Sequence, residues 1–195
     1  MVESDHRTGS APQLTIALVN GTQLTEDFLD HLGVSLETFR KEFRGSWMFS
    51  NIDALRVAGL RTVLFLVSAR VTAPLRFTHQ PTGASVCVLP APSIYRAIRR
   101  RVLNPYAPTV VQAVGHVDPL RRAFFAVLKA VAPYVATPLR LLAHELRYQG
   151  CKAILCQGYE HARFDACVLL GRKSAGITVL IKHRKLAHIF GLFEL

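Results

Sequence analysis

Short runs of consecutive apolar residues alternate along this chain with segments of helical character. Unbroken apolar runs at residues 14–19 and 62–68 are typical of strands that are covered on both faces. Further strands are predicted at residues 75–79, 85–89, 109–114, 153–156 and 177–181. Helices are predicted at residues 25–32, 35–43, 50–58, 93–103, 119–132, 138–149 and 164–172. The alternation predicts an α/β fold: one Rossmann-like domain with a mostly parallel sheet and helices on both faces.

Turn and capping residues divide these elements. Thr22 or Thr25 is expected to cap the first helix, Ser35 the second and Ser93 the helix that follows 90–92. Gly83 is expected at a turn between the strands 75–79 and 85–89. The chain then divides into a flexible polar tail at 1–13, the domain at 14–181, and an atypical basic and apolar tail at 182–195.

The charge is uneven along the chain. The whole sequence has a net charge of +11, but residues 1–60 contain 5 Lys or Arg and 8 Asp or Glu, whereas residues 61–195 contain 19 and 5. Such asymmetry points to an anionic partner of the later part, or to a solvated basic face without a specific partner. We expect no nucleic-acid partner, because no RNA- or DNA-binding motif accompanies the charge.

Residues 1–13 are polar and show no apolar core of a signal peptide, which indicates a cytoplasmic location. The most apolar long stretch, residues 123–146, is interrupted by charges and prolines and is not expected to span a membrane. The four cysteines lie in apolar contexts and are predicted to be buried free thiols. They are Cys87, Cys151, Cys156 and Cys167.

The loop after the strand at 153–156 is the richest candidate site. Ligands of open α/β sheets bind at the carboxyl ends of strands. Six polar or aromatic side chains follow this strand within nine residues: Gln157, Tyr159, Glu160, His161, Arg163 and Asp165. We expect this loop to line a ligand site.

Common nucleotide and metal motifs do not account for that loop. Gly171-Arg-Lys-Ser lacks the first glycine of a P-loop, and no Gly-x-Gly-x-x-Gly is present. Three cysteines and His161 could be combined into a zinc site, but their spacing lacks the tight pairs of structural zinc sites. We therefore expect no metal and no cofactor. His79 and His116 are expected in ordinary polar contacts.

The predicted helix at 93–103 has an apolar stripe that includes Ile94, Ala97 and Ile98, and a basic remainder. This pattern is typical of a solvated helix over a sheet. It also suits a surface that meets anionic lipid headgroups, with Phe124, Phe125 and Val127 adding apolar contacts. The proposed anion contacts are Arg96, Arg99, Arg100 and Arg101.

Five segments resemble the amino-terminal domain of retaining GT-B glycosyltransferases of the glycogen-synthase-like group. They are Gly45-Ser-Trp-Met-Phe, Asp53-Ala-Leu-Arg-Val-Ala-Gly-Leu-Arg-Thr-Val-Leu, His79-Gln-Pro-Thr-Gly-Ala, Leu89-Pro-Ala-Pro, and Cys156-Gln-Gly-Tyr-Glu-His-Ala-Arg-Phe-Asp. The resemblance covers residues 14–181.

The resemblance implies the acceptor-side half of a two-domain enzyme that moves a sugar from a nucleotide-sugar to an acceptor hydroxyl, in glycan or polysaccharide synthesis. The donor domain of that family carries a Glu-x7-Glu motif, which this chain lacks, and complete enzymes need about twice this length. We therefore expect a truncated product, a fragment or part of a split enzyme that is inactive alone and binds nucleotide-sugar only with a donor domain. The acceptor would be a sugar or a lipid-linked molecule, which would allow a peripheral position on the inner membrane face.

The resemblance also assigns roles to residues. Asn20, Gly21 and Thr22 would approach the diphosphate of the donor. Glu160 or His161 would orient the acceptor hydroxyl as catalytic groups. Gln157, Tyr159 and Arg163 would contact substrate.

Two other classes remain open from the residues. One is a non-catalytic α/β module that binds an anionic lipid surface or a partner subunit. The other is a small α/β enzyme with its site in the loop 157–165, although no recognisable nucleophile or cofactor motif accompanies it.

Overall fold

The computed structural model describes residues 14–20, 24–45, 47–100, 118–157, 162–173 and 176–182. Within these ranges the chain forms six strands and seven helices. The strands are β1 (Thr15–Val19), β2 (Arg61–Ser68), β3 (Leu75–His79), β4 (Ala84–Pro90), β5 (Cys151–Gln157) and β6 (Thr178–Lys182). The helices are α1 (Thr25–His31), α2 (Leu36–Lys41), α3 (Trp47–Val57), α4 (Ser93–Arg100), α5 (Pro119–Val135), α6 (Leu139–Tyr148) and α7 (Ala162–Lys173).

The strands form one sheet in the order β3-β4-β2-β1-β5-β6. All neighbouring pairs are parallel except β3 and β4, which are antiparallel and joined by a turn at Gly83 with a φ of 68°. β1 lies between β2 and β5 and is buried at every residue. The sheet confirms the predicted α/β class, and consecutive apolar residues in β1 and β2 follow from burial on both faces.

Helices cover both faces of the sheet, as predicted. Alternate residues of β1 contribute to different cores: Ala17 to one and Leu18 to the other. Leu142 of α6 and Leu170 of α7 lie in the core with Ala17. The opposite core contains residues from α1, α2 and α3, namely Leu29, Phe39, Met48, Phe49 and Ile52.

Several element ends differ from the sequence prediction. α3 begins at Trp47 rather than 50, β5 begins at Cys151 rather than 153, and α7 is longer at both ends. α5 continues two residues past Pro133, whereas the prediction ended the helix before this proline. The predicted strand at 109–114, His116 and both predicted tails except Lys182 lie outside the described residues, and Lys182 is the last residue of β6.

Helix capping was predicted correctly at Ser35 and wrongly at Thr25. The Ser35 hydroxyl accepts a hydrogen bond from the Thr38 amide at 3.0 Å. Thr25 is already helical, and its hydroxyl donates to the Val67 carbonyl at 3.1 Å. The Asp27 carboxylate accepts a hydrogen bond from the Leu24 amide at 3.0 Å and thus caps the beginning of α1. Ser93 is likewise the first helical residue rather than the cap before it.

His79 is an aromatic core residue, which corrects the expectation of ordinary polar contacts. Its ring is fully buried and stacks on Phe49 with a centroid distance of 3.9 Å. Nδ1 lies 2.7 Å from the Thr82 hydroxyl. Nε2 is buried and makes no hydrogen bond to the described residues. Burial lowers the pKa of His79, although the backbone carbonyls of Phe43 and Phe39 oppose this effect.

The lowered pKa of His79 predicts a loss of stability in mild acid. The unfolded histidine takes up a proton as the pH falls through its ordinary pKa of about 6.5, whereas the folded one resists it. We expect the free energy of unfolding to decrease from pH 7.5 to pH 5.5, and this slope to be shallower in His79→Gln. Urea denaturation across this range measures it. His31→Gln on the surface is the matched control, and equal slopes in the two variants would contradict the prediction.

Gly171 allows α7 to approach β6. A Cβ at this position would lie 2.6 Å from Cγ2 of Val179 and 3.4 Å from the Ile177 carbonyl oxygen. Because atoms cannot approach so closely, any larger residue here pushes the helix and strand apart.

Gly171→Ala is therefore expected to destabilise the protein by about 1–3 kcal/mol, although alanine is ordinarily preferred to glycine in a helix. Removing the opposing methyl groups in Gly171→Ala/Val179→Ala should recover part of this loss, which a double-mutant cycle of unfolding free energies measures. Gly45→Ala is the control, because nothing lies within 4 Å of its added Cβ. Strict additivity in the cycle would show that the close contact is not the cause.

Candidate functional site

The carboxyl ends of β1 and β5 define the candidate site. From β1 the chain proceeds to β2 and β4 on one side of the sheet, and later to β5 and β6 on the other side. The connections from β1 and from β5 thus lead toward opposite ends of the sheet, and the carboxyl ends of these two adjacent strands mark the candidate crevice of such a fold. In open α/β sheets this change of direction is where ligands bind. Asn20 follows β1 and Gln157 ends β5 at this position.

Arg163 lies next to the end of β1. It is the second residue of α7, and only 2% of the residue is exposed. Its Nη1 donates to the backbone carbonyl of Asn20 at 3.1 Å, and its Nε donates to the Thr137 hydroxyl at 3.3 Å. One guanidinium thus connects the loop after β1, the segment before α6 and the first turn of α7.

Burial lowers the pKa of Arg163 to about 10, because desolvation disfavours the charged form. Cys167, Tyr95, Cys156 and Asp27 oppose this shift. Arg163 remains charged at neutral pH. A positive charge of low solvent exposure therefore lies next to the end of β1, where its field is screened less than at the surface.

An ion pair lies near Arg163. Asp27 of α1 pairs with Arg99 of α4, and about 15% of each side chain is exposed. Burial disfavours the Arg99 charge, but the hydrogen bond and charge of Asp27 outweigh this, so the pKa of Arg99 is raised. Tyr95 contributes a further hydrogen bond to Arg99. The pair joins two helices that are 72 residues apart in sequence.

Glu26 and Thr25 attach α1 to the end of β2. The Glu26 carboxylate accepts from the Ala69 amide through Oε1 at 2.8 Å, while Oε2 is buried without a hydrogen bond to the described residues. Together with the Thr25 bond to Val67, this contact orients the first turn of α1 relative to the sheet. The loop between β1 and α1 therefore has ordered anchors at both ends.

The structure describes only some of the predicted site residues. Asn20 lies at the crevice, half-buried, with its carbonyl held by Arg163. Gln157 ends β5, but its side chain is outside the described part. The others in the two loops also lie outside the described residues, and their roles remain predictions: Gly21, Thr22, Tyr159, Glu160 and His161.

Arg163 is buried, and its predicted contact with substrate remains a prediction. Its buried guanidinium binds protein atoms and supports the loop from below. Asp27, Tyr95 and Thr137 were not predicted as site residues from the sequence. An acidic residue in the first helical turn is a weak sign of a cap, but no local pattern indicates its pairing with Arg99.

The arginines of α4 do not form one exposed face. Arg100 is exposed and Arg96 is partly buried, whereas Arg99 points inward to Asp27. Arg101 lies outside the described residues. The predicted apolar stripe is not the buried side of the helix either, because Ile94 and Ala97 are exposed. The anion-contact hypothesis accordingly rests on Arg96 and Arg100 among the described residues.

The four cysteines are buried free thiols, as predicted. Cys156 hydrogen-bonds to Cys167, and this contact together with burial raises the pKa of Cys156.

Within the described ranges, no three His, Cys, Asp or Glu side chains are grouped as metal ligands. No helix in the same ranges is long and apolar enough to cross a bilayer.

Comparison with protein-family models, with curated proteins and with solved structures finds no match.

The buried pair Asp27–Arg99 and the exposed pair Asp30–Arg70 allow a matched test on one helix. Asp27→Asn leaves Arg99 with a buried charge, so we expect a loss of about 3 kcal/mol in unfolding free energy. Asp30→Asn weakens a bidentate surface pair, with both hydrogen bonds shorter than 3.0 Å, and should cost less than about 1 kcal/mol. Urea denaturation compares the two. Equal losses of unfolding free energy in the two variants would show that burial does not determine the contribution of these ion pairs.

Proposed function

We propose that this chain is the acceptor-side half of a glycosyltransferase that moves a sugar from a nucleotide-sugar to an acceptor hydroxyl. The observation that carries the proposal is the buried guanidinium of Arg163, which binds the Asn20 carbonyl where β1 ends, next to the parallel strand β5. The segments that resemble GT-B enzymes include the β3–β4 turn and the connection from β5 to α7, and the second of these follows the end of β5 in sequence.

Positive charge near the crevice suits a diphosphate leaving group. In such transfers, groups that are already oriented and poorly solvated stabilise the developing negative charge. The loop of Asn20, Gly21 and Thr22 would bring backbone amides to the diphosphate. Arg163 would act as a positioning residue, because its hydrogen bond to the Asn20 carbonyl orients this loop.

The opposite loop would receive the acceptor. Gln157 and Tyr159 would contact it, and Glu160 or His161 would orient its hydroxyl toward the anomeric carbon. Orientation of two reactants is itself a large part of such catalysis. A donor-binding domain on the far side of the crevice would complete the site, and the chain alone would be inactive.

Complementation tests this function. The purified chain is assayed for sugar transfer from a panel of nucleotide-sugars, alone and mixed with the donor domain of a retaining GT-B enzyme. We expect transfer only in the mixture, and at least a tenfold decrease in rate with Glu160→Gln or His161→Gln. Glu37→Gln, at an exposed position of α2, is the control.

Two outcomes would contradict the proposal. Transfer by the chain alone would mean that a complete site lies in this domain. No transfer in any mixture, from chains shown to be folded by circular dichroism and able to associate, would remove the glycosyltransferase assignment.

A further inference from the structure

The outer side of α5 is an exposed apolar stripe. Five large apolar residues recur at intervals of four and three, which places them on one side of the helix over about 20 Å. Their exposed fractions are 81% for Leu120, 58% for Phe124, 63% for Val127, 47% for Val131 and 62% for Tyr134. Single exposed apolar residues are common, but a continuous row of five indicates a contact surface.

α4 lies next to α5 and also exposes an apolar residue. The two helices contact each other, and Ile94 of α4 is 60% exposed. Tyr95 and Arg99 on the inner side of α4 belong to the candidate site, so the exposed Ile94, Ala97 and Arg100 form a different side of the same helix. The surface is therefore separate from the crevice.

The positive charge of α4 and α5 favours an anionic partner. Together α4 and α5 contain six Lys or Arg and no Asp or Glu. Arg121 and Arg122 are exposed at the beginning of α5, and Asp118 before them is the N-cap and pairs with Arg121. An apolar stripe with nearby basic side chains has the composition of helices that bind the interface of anionic bilayers.

We propose that the outer side of α5, together with Ile94 and Arg100 of α4, is a docking surface for an anionic lipid bilayer. The α5 axis lies along the membrane plane, the apolar stripe enters the interface, and the arginines contact headgroup phosphates. A second copy of the chain is a poorer occupant, because pairing two such surfaces would bring like charges together. This proposal does not depend on the glycosyltransferase assignment.

Vesicle co-sedimentation tests the surface with the full chain. We expect binding to vesicles of phosphatidylcholine with 30% phosphatidylglycerol and little binding to phosphatidylcholine alone. Phe124→Ser/Val127→Ser should weaken binding more than tenfold, because the apolar side chains that enter the interface are lost. Arg121→Gln/Arg122→Gln should weaken it about fivefold for each arginine. Val57→Ser, an 89% exposed apolar position on α3, is the matched control and should bind normally.

A fluorescent label tests the orientation. The four cysteines are buried, so a cysteine introduced at Val127 or Val57 is the reactive thiol for an environment-sensitive dye. We expect a blue shift of the dye emission with anionic vesicles at Val127→Cys and none at Val57→Cys. All substituted positions are exposed, and circular dichroism checks that each variant is folded.

Each contrary result overturns the proposal. Equal binding to neutral and anionic vesicles would show that the arginines do not contribute to binding. A blue shift of the dye at Val57→Cys would show that α3, rather than α5, faces the bilayer. Absence of vesicle binding would exclude the bilayer. A concentration-dependent dimer without lipid that is lost in Phe124→Ser/Val127→Ser would instead identify the surface as a contact between two copies.

Discussion

The position of β1 in the middle of the sheet constrains the rest of the molecule. β1 is hydrogen-bonded on both sides, to β2 and β5, and every one of its residues is buried. Polar groups at its carboxyl end must therefore be satisfied inside the protein, since an unpaired buried carbonyl is costly. Arg163 meets this requirement at Asn20. The same hydrogen bond fixes the position of Asn20, the first residue after β1 at the candidate site.

Several of the acidic side chains in this basic protein are buried or partly buried and bind other protein groups. Glu145 of α6 is buried and pairs in a bidentate way with Arg76 of edge strand β3, whose guanidinium lies over the Tyr148 ring. Asp27 pairs with Arg99, and Glu26 holds the chain after β2. Glu145 and Glu26 thus connect helices to the sheet, and Asp27 connects two helices to each other. Basic side chains such as Arg121 and Arg122 remain exposed on the surface.

α4 relates the two proposed surfaces to each other. Its inner side contributes Tyr95 and Arg99 to the candidate site, and its outer side contributes Ile94 and Arg100 to the membrane-docking surface. If both proposals hold, a lipid-linked acceptor would reach the crevice from a bilayer on which the chain is already docked.

The sequence by itself determined the class of fold and most of its elements. Uninterrupted apolar runs required strands that are covered on both faces, and helical segments between them required a mostly parallel sheet, because these properties depend on local periodicity. The Ser35 cap and the Gly83 turn followed from local chemistry for the same reason. Tertiary structure alone decided which of the polar residues became interior. Arg99 was expected on a surface and Arg163 in a ligand contact, but both bind protein atoms, since their partners Asp27 and Asn20 are distant in sequence and adjacent only once the sheet has ordered the helices around it.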